Sequence, residues 1–229
     1  MCVQSVEGVD CALEISGYDY LAALPSFREG LFQVQDVSSM LAVLKAAPER
    51  GDYCIDVCAA PGGKSLHMAD LLDGTGMVEA RDLTEYKVQL IEENIARSGM
   101  TNIRAVQWDA TVPDEASAEK ADVVLADLPC SGLGVLNKKR DLKYRMTQEQ
   151  EKELVRLQRQ ILETVQQYVK PGGILVYSTC TVHKEENEGN TSWFLEHFPF
   201  VLKEQIQMLP GRDPWDGFYI AKMEKRQND

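Results

Sequence analysis

The chain has 229 residues, 44% of them hydrophobic and 26% charged, the composition of a globular protein of one or at most two domains. No apolar run approaches the ~20 residues needed to span a bilayer, and the opening MCVQSVEGVDCALEISG lacks the charged-then-apolar layout of a signal peptide, so the chain reads as cytoplasmic. A formal net charge of −12 argues against a stand-alone nucleic-acid binder, since phosphate affinity comes largely from Lys and Arg, but leaves room for an enzyme with a local basic patch.

Residues 1–50 read as a small N-terminal appendage leading into a helix over 38–45. The chain opens without an obvious first element, which suggests a piece of a longer protein. From residue 51 to 229 the pattern is strand, turn, helix, repeated. A strand is expected over 53–57, then the turn Cys58-Ala59-Ala60-Pro61-Gly62-Gly63 and a helix over 64–72. A strand over 77–80 runs on to Asp82. A helix over 85–97, with Val88, Ile91 and Ile95 at helical spacing, stops at Gly99. Strands over 103–108 and 122–126 end at Asp109 and Asp127. A long helix is expected over 148–169, and a strand over 174–177 ends at Ser178-Thr179-Cys180. Strands alternating with helices imply βαβ units and a mainly parallel sheet. Strand candidates over 200–207 and 218–223 form a C-terminal hairpin that adds an antiparallel edge strand.

Asp82, Asp109, Asp127 and Cys180 all fall at C-terminal strand ends, where open α/β sheets bind ligands. One such Asp is ordinarily a helix cap or turn residue; four at one edge favour a site. The glycines of the first turn let backbone approach a ligand closely. A P-loop would need glycine where Cys58 stands, and no GxGxxG is present, so a nucleoside with a zwitterionic tail fits better than a triphosphate. Asp82 lies 19 residues after Gly63, near the ~20-residue spacing of an acid that meets ribose hydroxyls.

The six cysteines form no CxxC pair and only three histidines occur, so no metal site is expected. Cys2, Cys11 and Cys54 read as buried free thiols. A basic cluster, Lys138, Lys139, Arg140, Lys143 and Arg145, follows Cys130; alone it is a solvated surface run.

The strings DVCAAPGGKS, DLPCSG and YSTCTVHKEEN, supported by GLFQVQDVSS, LVRLQRQIL and DGFYIAKMEK, resemble the NOL1/NOP2/Sun family of RNA cytosine-5 methyltransferases from about Leu21 onward. The resemblance implies a Rossmann-like class I fold, an α/β seven-stranded mainly parallel sheet with an antiparallel C-terminal hairpin, and S-adenosylmethionine as methyl donor. It implies that Cys58, Ala59, Ala60, Pro61, Gly62, Gly63 and Lys64 line the donor's methionine end. Asp82 would take the ribose hydroxyls, Asp109 the adenine side, and Asp127 would sit between donor and target base. Cys180 would be the nucleophile and Cys130 would assist product release. The expected partner is RNA, foremost 16S ribosomal RNA, bound by a monomer. Leu128 stands where the family often has alanine. Bacterial 16S enzymes of the family also carry an N-terminal helical RNA-binding domain that this sequence lacks.

The chemistry needs these groups. Carbon-5 of cytosine is a poor nucleophile, and thiolate addition at carbon-6 converts the ring to an enamine that can attack a sulfonium methyl. The thiol must ionise near neutral pH, and an acid near the ring helps spread charge in the adduct. DNA cytosine-5 methyltransferases place the nucleophile in a Pro-Cys motif, which would choose Cys130; the RNA family's Thr-Cys motif chooses Cys180. Beside that motif the basic cluster gains weight as an RNA contact. Lys64 is left between donor, RNA and solvent. Glu185, Glu186 and Asn187 are expected to cap the following helix. Gln35 and Asp36 either brace the active-site loops or, for Asp36, cap a helix. Rival readings are a tRNA cytosine-5 methyltransferase, a methyltransferase for small molecules or proteins on the same sheet, and a non-catalytic RNA-binding factor.

Overall fold

The computed structural model describes residues 1–136, 147–213 and 215–227. The basic cluster from Lys138 to Arg145 lies outside them. The chain opens with a small hairpin, β1 (Cys2–Ser5) paired antiparallel with β2 (Leu13–Ser16). A short helix α1 (Pro25–Arg28) and the longer α2 (Val37–Ala46) follow. Then come β3 (Tyr53–Asp56), α3 (Gly63–Leu71), β4 (Met77–Asp82), α4 (Glu85–Ser98), β5 (Ile103–Gln107) and β6 (Ala121–Asp127). The chain closes with α5 (Gln148–Val165), β7 (Val169–Thr179), α6 (Asn190–His197), β8 (Phe200–Met208) and β9 (Phe218–Lys225).

The seven strands of the main sheet run in the order β5-β4-β3-β6-β7-β9-β8. The first five pair parallel, and β9 alone runs against the rest, pairing antiparallel with both β7 and β8. The C-terminal hairpin therefore supplies two strands rather than one: β9 pairs β7 and β8 lies outermost.

The central strands bury both faces, as parallel strands must. Alternate residues divide between two cores because side chains alternate across a strand. Cys54, Val78, Ala80, Val123, Leu125 and Val176 pack with Ala42 and Val43 of α2, Leu66 and Met68 of α3, and Ile91 of α4. Ile55, Val124, Ala126, Leu175 and Tyr177 pack on the other side with Ile161, Leu162 and Val165 of α5 and Phe194 of α6. Each fully buried leucine or isoleucine in these layers contributes about 1.5–3 kcal/mol over an exposed one.

Helix ends follow local signals. Asp36 caps α2, accepting from Ser38 N at 3.0 Å. Thr84 caps α4, and Gly99, with φ of 68°, closes it. Thr147 and Gln150 form a capping box at the start of α5. That helix stops at Val165, short of the expected 169. A 3-10 turn over Gln166–Tyr168 turns Tyr168 into the core, where its hydroxyl donates to Val112 O and accepts from Asp114 N. Cys54 is buried, as expected, but Cys2 and Cys11 are exposed, because the hairpin that carries them has almost no inward face. Among the described residues no helix is long and apolar enough to cross a membrane, and no cluster of His, Cys, Asp and Glu has the makings of a metal site.

Candidate active site

Four loops at the C-terminal edge of the parallel strands converge. After β3, the chain turns through Cys58 to Gly62, where Gly62 takes φ of 106°, and enters α3 at Gly63. A left-handed Gly62 is required there, since other residues strain at that angle. This turn, Lys64, Asp56 and Asp127 line a pocket of about 220 Å³, closed from the opposite side by residues 33–36 and Ser39. A larger cleft of about 410 Å³ shares Gln33, Gln35 and Gly63 with it but extends to Cys11, Leu13 and Ile15 and lacks Asp127; neither is lined by Cys130 or Cys180.

Asp82 closes β4 almost fully buried and clamps the turn: its carboxylate accepts from Ala60 N at 2.9 Å and Leu83 N at 2.8 Å, and faces Lys87 Nζ at 2.9 Å. Oδ1 faces both Leu83 N and Lys87 Nζ, whereas Oδ2 accepts only from Ala60 N and keeps a second lone pair for a ligand. Asp109 is half-buried after β5 and accepts from the backbone N–H and hydroxyl of Thr111.

Asp127, at the end of β6, accepts from Ser178 Oγ at 2.8 Å and pairs with Lys64 Nζ at 2.6 Å. Lys64, which the sequence left between donor, RNA and solvent, is thus an inward partner of Asp127. Burial alone would lower its pKa, but the charge and hydrogen bond of Asp127, then Asp56 and Cys180, outweigh this and hold it above the ordinary lysine value.

Cys130 and Cys180 meet with their sulfurs 3.3 Å apart. The hydrogen bond to Cys180, burial, and the negative charge of a Cys180 thiolate all push the Cys130 thiol well above its usual value. The loop after Cys130 is locked onto Cys180 by backbone: Gly134 N donates to Cys180 O at 3.0 Å, and Gly217 N donates to Gly134 O at 3.0 Å.

Asp56 had no role assigned from the sequence, and Glu186 and Asn187 take a different one from the cap expected of them. Asp56, the last residue of β3, is fully buried and accepts from Ser65 Oγ at 2.6 Å. Its other oxygen has no hydrogen-bond partner in the protein, nor does the Gln35 amide nitrogen on the facing wall. Burial pushes the Asp56 carboxyl up to about 7, against the pull of Ser65 and Lys64. The available signal was an acid at a strand end beside the glycine turn. Glu186 and Asn187 do not cap the next helix; they lie on a π turn over Glu185–Gly189, fully buried, with their side chains turned to the two cysteine loops. Asp36 is the helix cap already described, and it also lines the 220 Å³ pocket.

The residues fit the donor that the sequence implied. Nothing lies within 4 Å of where a Cβ on Gly63 would sit, which leaves a cradle at the helix start. An ammonium and a carboxylate on one tail would satisfy the orphaned Asp56 oxygen and Gln35 amide.

The strand order, the glycine turn and the acids at the strand ends define a Rossmann-like fold of the class found in S-adenosylmethionine-dependent methyltransferases. A family model described as 16S rRNA methyltransferase RsmB/F matches residues 43–224, and the chain belongs to that family. The probable ribosomal RNA small subunit methyltransferase B of Bacillus subtilis is 37% identical over 225 residues, which cover 90% of this chain and 50% of that protein. The crystal structure of PH0851 superposes with a TM-score of 0.93 at 33% identity, covering 97% of this chain and 54% of the other. NSun6 from Pyrococcus horikoshii, solved with SFG, gives 0.81 at 32% identity over 92% of this chain and 57% of its own. The chain spans about half the length of the curated relatives it matches.

Proposed function

We propose that this chain methylates carbon-5 of a cytosine in RNA, foremost 16S ribosomal RNA, through a covalent adduct on Cys180. The observation that carries the reading is the pair of sulfurs 3.3 Å apart beside the Lys64–Asp127 ion pair. The catalytic domain would span 51–229, behind an appendage over 1–50, and act as a monomer.

S-adenosylmethionine, when bound, supplies the methyl group as an electrophilic sulfonium. Cys58 to Lys64, with Asp56 and Gln35, would hold its amino-acid end, Asp82 its ribose and Asp109 its adenine side. Cys180, attacking as its thiolate, forms a bond to carbon-6 and pushes the ring's double-bond electrons towards carbon-5. Asp127, paired with Lys64, accepts hydrogen bonds from the exocyclic amine and orients the ring. Once Cys180 is alkylated, Cys130 loses both the hydrogen bond and the neighbouring charge that raised its pKa. It then ionises, its proton passing to water. The thiolate takes the proton from carbon-5, the ring double bond reforms, and the bond between Cys180 and carbon-6 breaks.

RNA containing 5-fluorocytosine cannot release that proton, so it should trap the enzyme. Mass spectrometry should place the attachment on the peptide containing Cys180, and Cys130→Ser should accumulate covalent complex with ordinary RNA. Attachment at Cys130 would overturn the assignment. Bisulfite sequencing of RNA from cells lacking the protein should show one protected cytosine lost.

A further inference from the structure

Each cysteine of the pair is bracketed by one side chain of the π turn over Glu185–Gly189. Glu186 brackets Cys130. Its carboxylate accepts from Ser131 N at 3.0 Å and from Ser131 Oγ at 2.5 Å, one residue after Cys130. It also accepts from Gln158 Nε2 at 2.9 Å, and that same nitrogen donates to Pro129 O at 2.8 Å, one residue before Cys130. Asn187 brackets Cys180. Its Oδ1 accepts from Thr179 Oγ1 at 2.6 Å, and its Nδ2 donates to Thr181 O at 3.0 Å. A hydroxyl contact between Ser131 and Thr181, 2.7 Å long, ties the two brackets together.

The turn itself is anchored. The Tyr177 hydroxyl and Asn190 Nδ2 both donate to Glu186 O, and Asn187 Nδ2 also donates to Gln207 Oε1 on β8 at 2.7 Å. Glu186 and Asn187 are both fully buried. Burying a carboxylate is costly unless donors converge on it. An acid accepts from all three donors at once, whereas a glutamine would keep the two N–H donors on its one carbonyl oxygen but turn its amide nitrogen to the Ser131 hydroxyl, which could then no longer donate to it. His183 Nδ1 stands 3.4 Å from Glu186, and its Nε2 faces Glu151 on α5.

We infer that Glu186 and Asn187 are positioning residues that divide the reaction between them: Glu186 holds Cys130 for release, and Asn187 holds Cys180 for addition. The inference rests on the two-cysteine reading above. Neither side chain needs to touch RNA or donor; each acts through the residues that flank a sulfur.

The division predicts opposite phenotypes. Glu186→Gln should lower turnover about tenfold, accumulate covalent complex with substrate RNA as Cys130→Ser does, and add nothing further in the double variant. Asn187→Ala should lower turnover without accumulating complex. Ser131→Ala and Thr179→Val, which remove one hydrogen bond from each bracket, should show the same two patterns more weakly should the first pair fold poorly. A purely structural role would instead lower turnover in step with melting temperature, with the same complex level in both variants, and that result overturns the inference. Iodoacetamide labelling of the free enzyme, read peptide by peptide, is independent of the RNA chemistry. Glu186→Gln should change the labelling rate of Cys130 more than that of Cys180, and Asn187→Ala the reverse; an unchanged ratio refutes the positioning roles. If wild type and Cys130→Ser trap no RNA while the labelling ratio shifts as stated, the two-cysteine chemistry fails and the positioning stands.

Discussion

Asp56 holds a proton near neutral pH because burial outweighs Ser65 and Lys64, which favour the charged form. Its folded value, about 7, lies well above the range of an aspartate in an unfolded chain. The folded chain thus binds more protons than the unfolded chain between those limits. The stability Asp56 contributes is full below the unfolded value and is lost as pH rises through about 7. Relative to Asp56→Asn, the wild-type unfolding free energy from urea titrations should therefore fall as pH rises through this window, with a slope of at most about 1.4 kcal/mol per pH unit. Parallel profiles would mean that Asp56 titrates at its ordinary value. Asp82, Asp109, Asp127 and Cys180 were legible in the sequence because a parallel sheet gathers its strand ends at one edge. Asp56 sits at the same edge, yet the apolar run around it reads simply as a buried strand. Glu186 was misread because an acid near a helix start ordinarily caps it; its partner Ser131 lies 55 residues earlier, a separation local pattern cannot bridge.

At the scale of elements, two glycine positions separate folding from binding. A Cβ on Gly134 would collide with Gly217 O and stand 2.8 Å from Cys180 O, both of them backbone atoms. Gly134→Ala should cost at least about 2 kcal/mol in denaturant unfolding and abolish activity, since the loop after Cys130 can no longer dock on Cys180. Gly63→Ala meets only open space at the first position of α3. It should hold or raise stability, by up to about 1 kcal/mol, while weakening S-adenosylmethionine binding in calorimetry, because the methyl group enters the donor cradle. Unchanged affinity would place the donor elsewhere. Most helices and core strands could be read from period and stop signals. The β1–β2 hairpin could not: all but one of its strand residues are exposed, so no apolar alternation marks it.

For the whole molecule, the net charge of −12 sets a demanding condition on RNA affinity. Binding should depend on the few cations that follow Cys130 in the sequence, so replacing Lys138, Lys139 and Arg140 by alanine should weaken RNA uniformly across sequences. It should also reduce the slope of log affinity against log salt by about 0.7 for each phosphate no longer neutralised on single-stranded RNA. An unchanged slope would place the RNA path elsewhere. Chain order carries a last consequence, one of timing during synthesis. The strand leading to Cys180, β7, pairs on one side with β6 and on the other with β9, which is made well after it. On the ribosome, β7 must wait with an open edge until residues 218–225 emerge and insert between it and β8. A nascent chain stopped before Phe218 would keep that edge ready to pair with another chain. The strand leading to Cys180 is thus paired on both sides only once residues 218–225 have been made, and until then its open edge is an aggregation hazard.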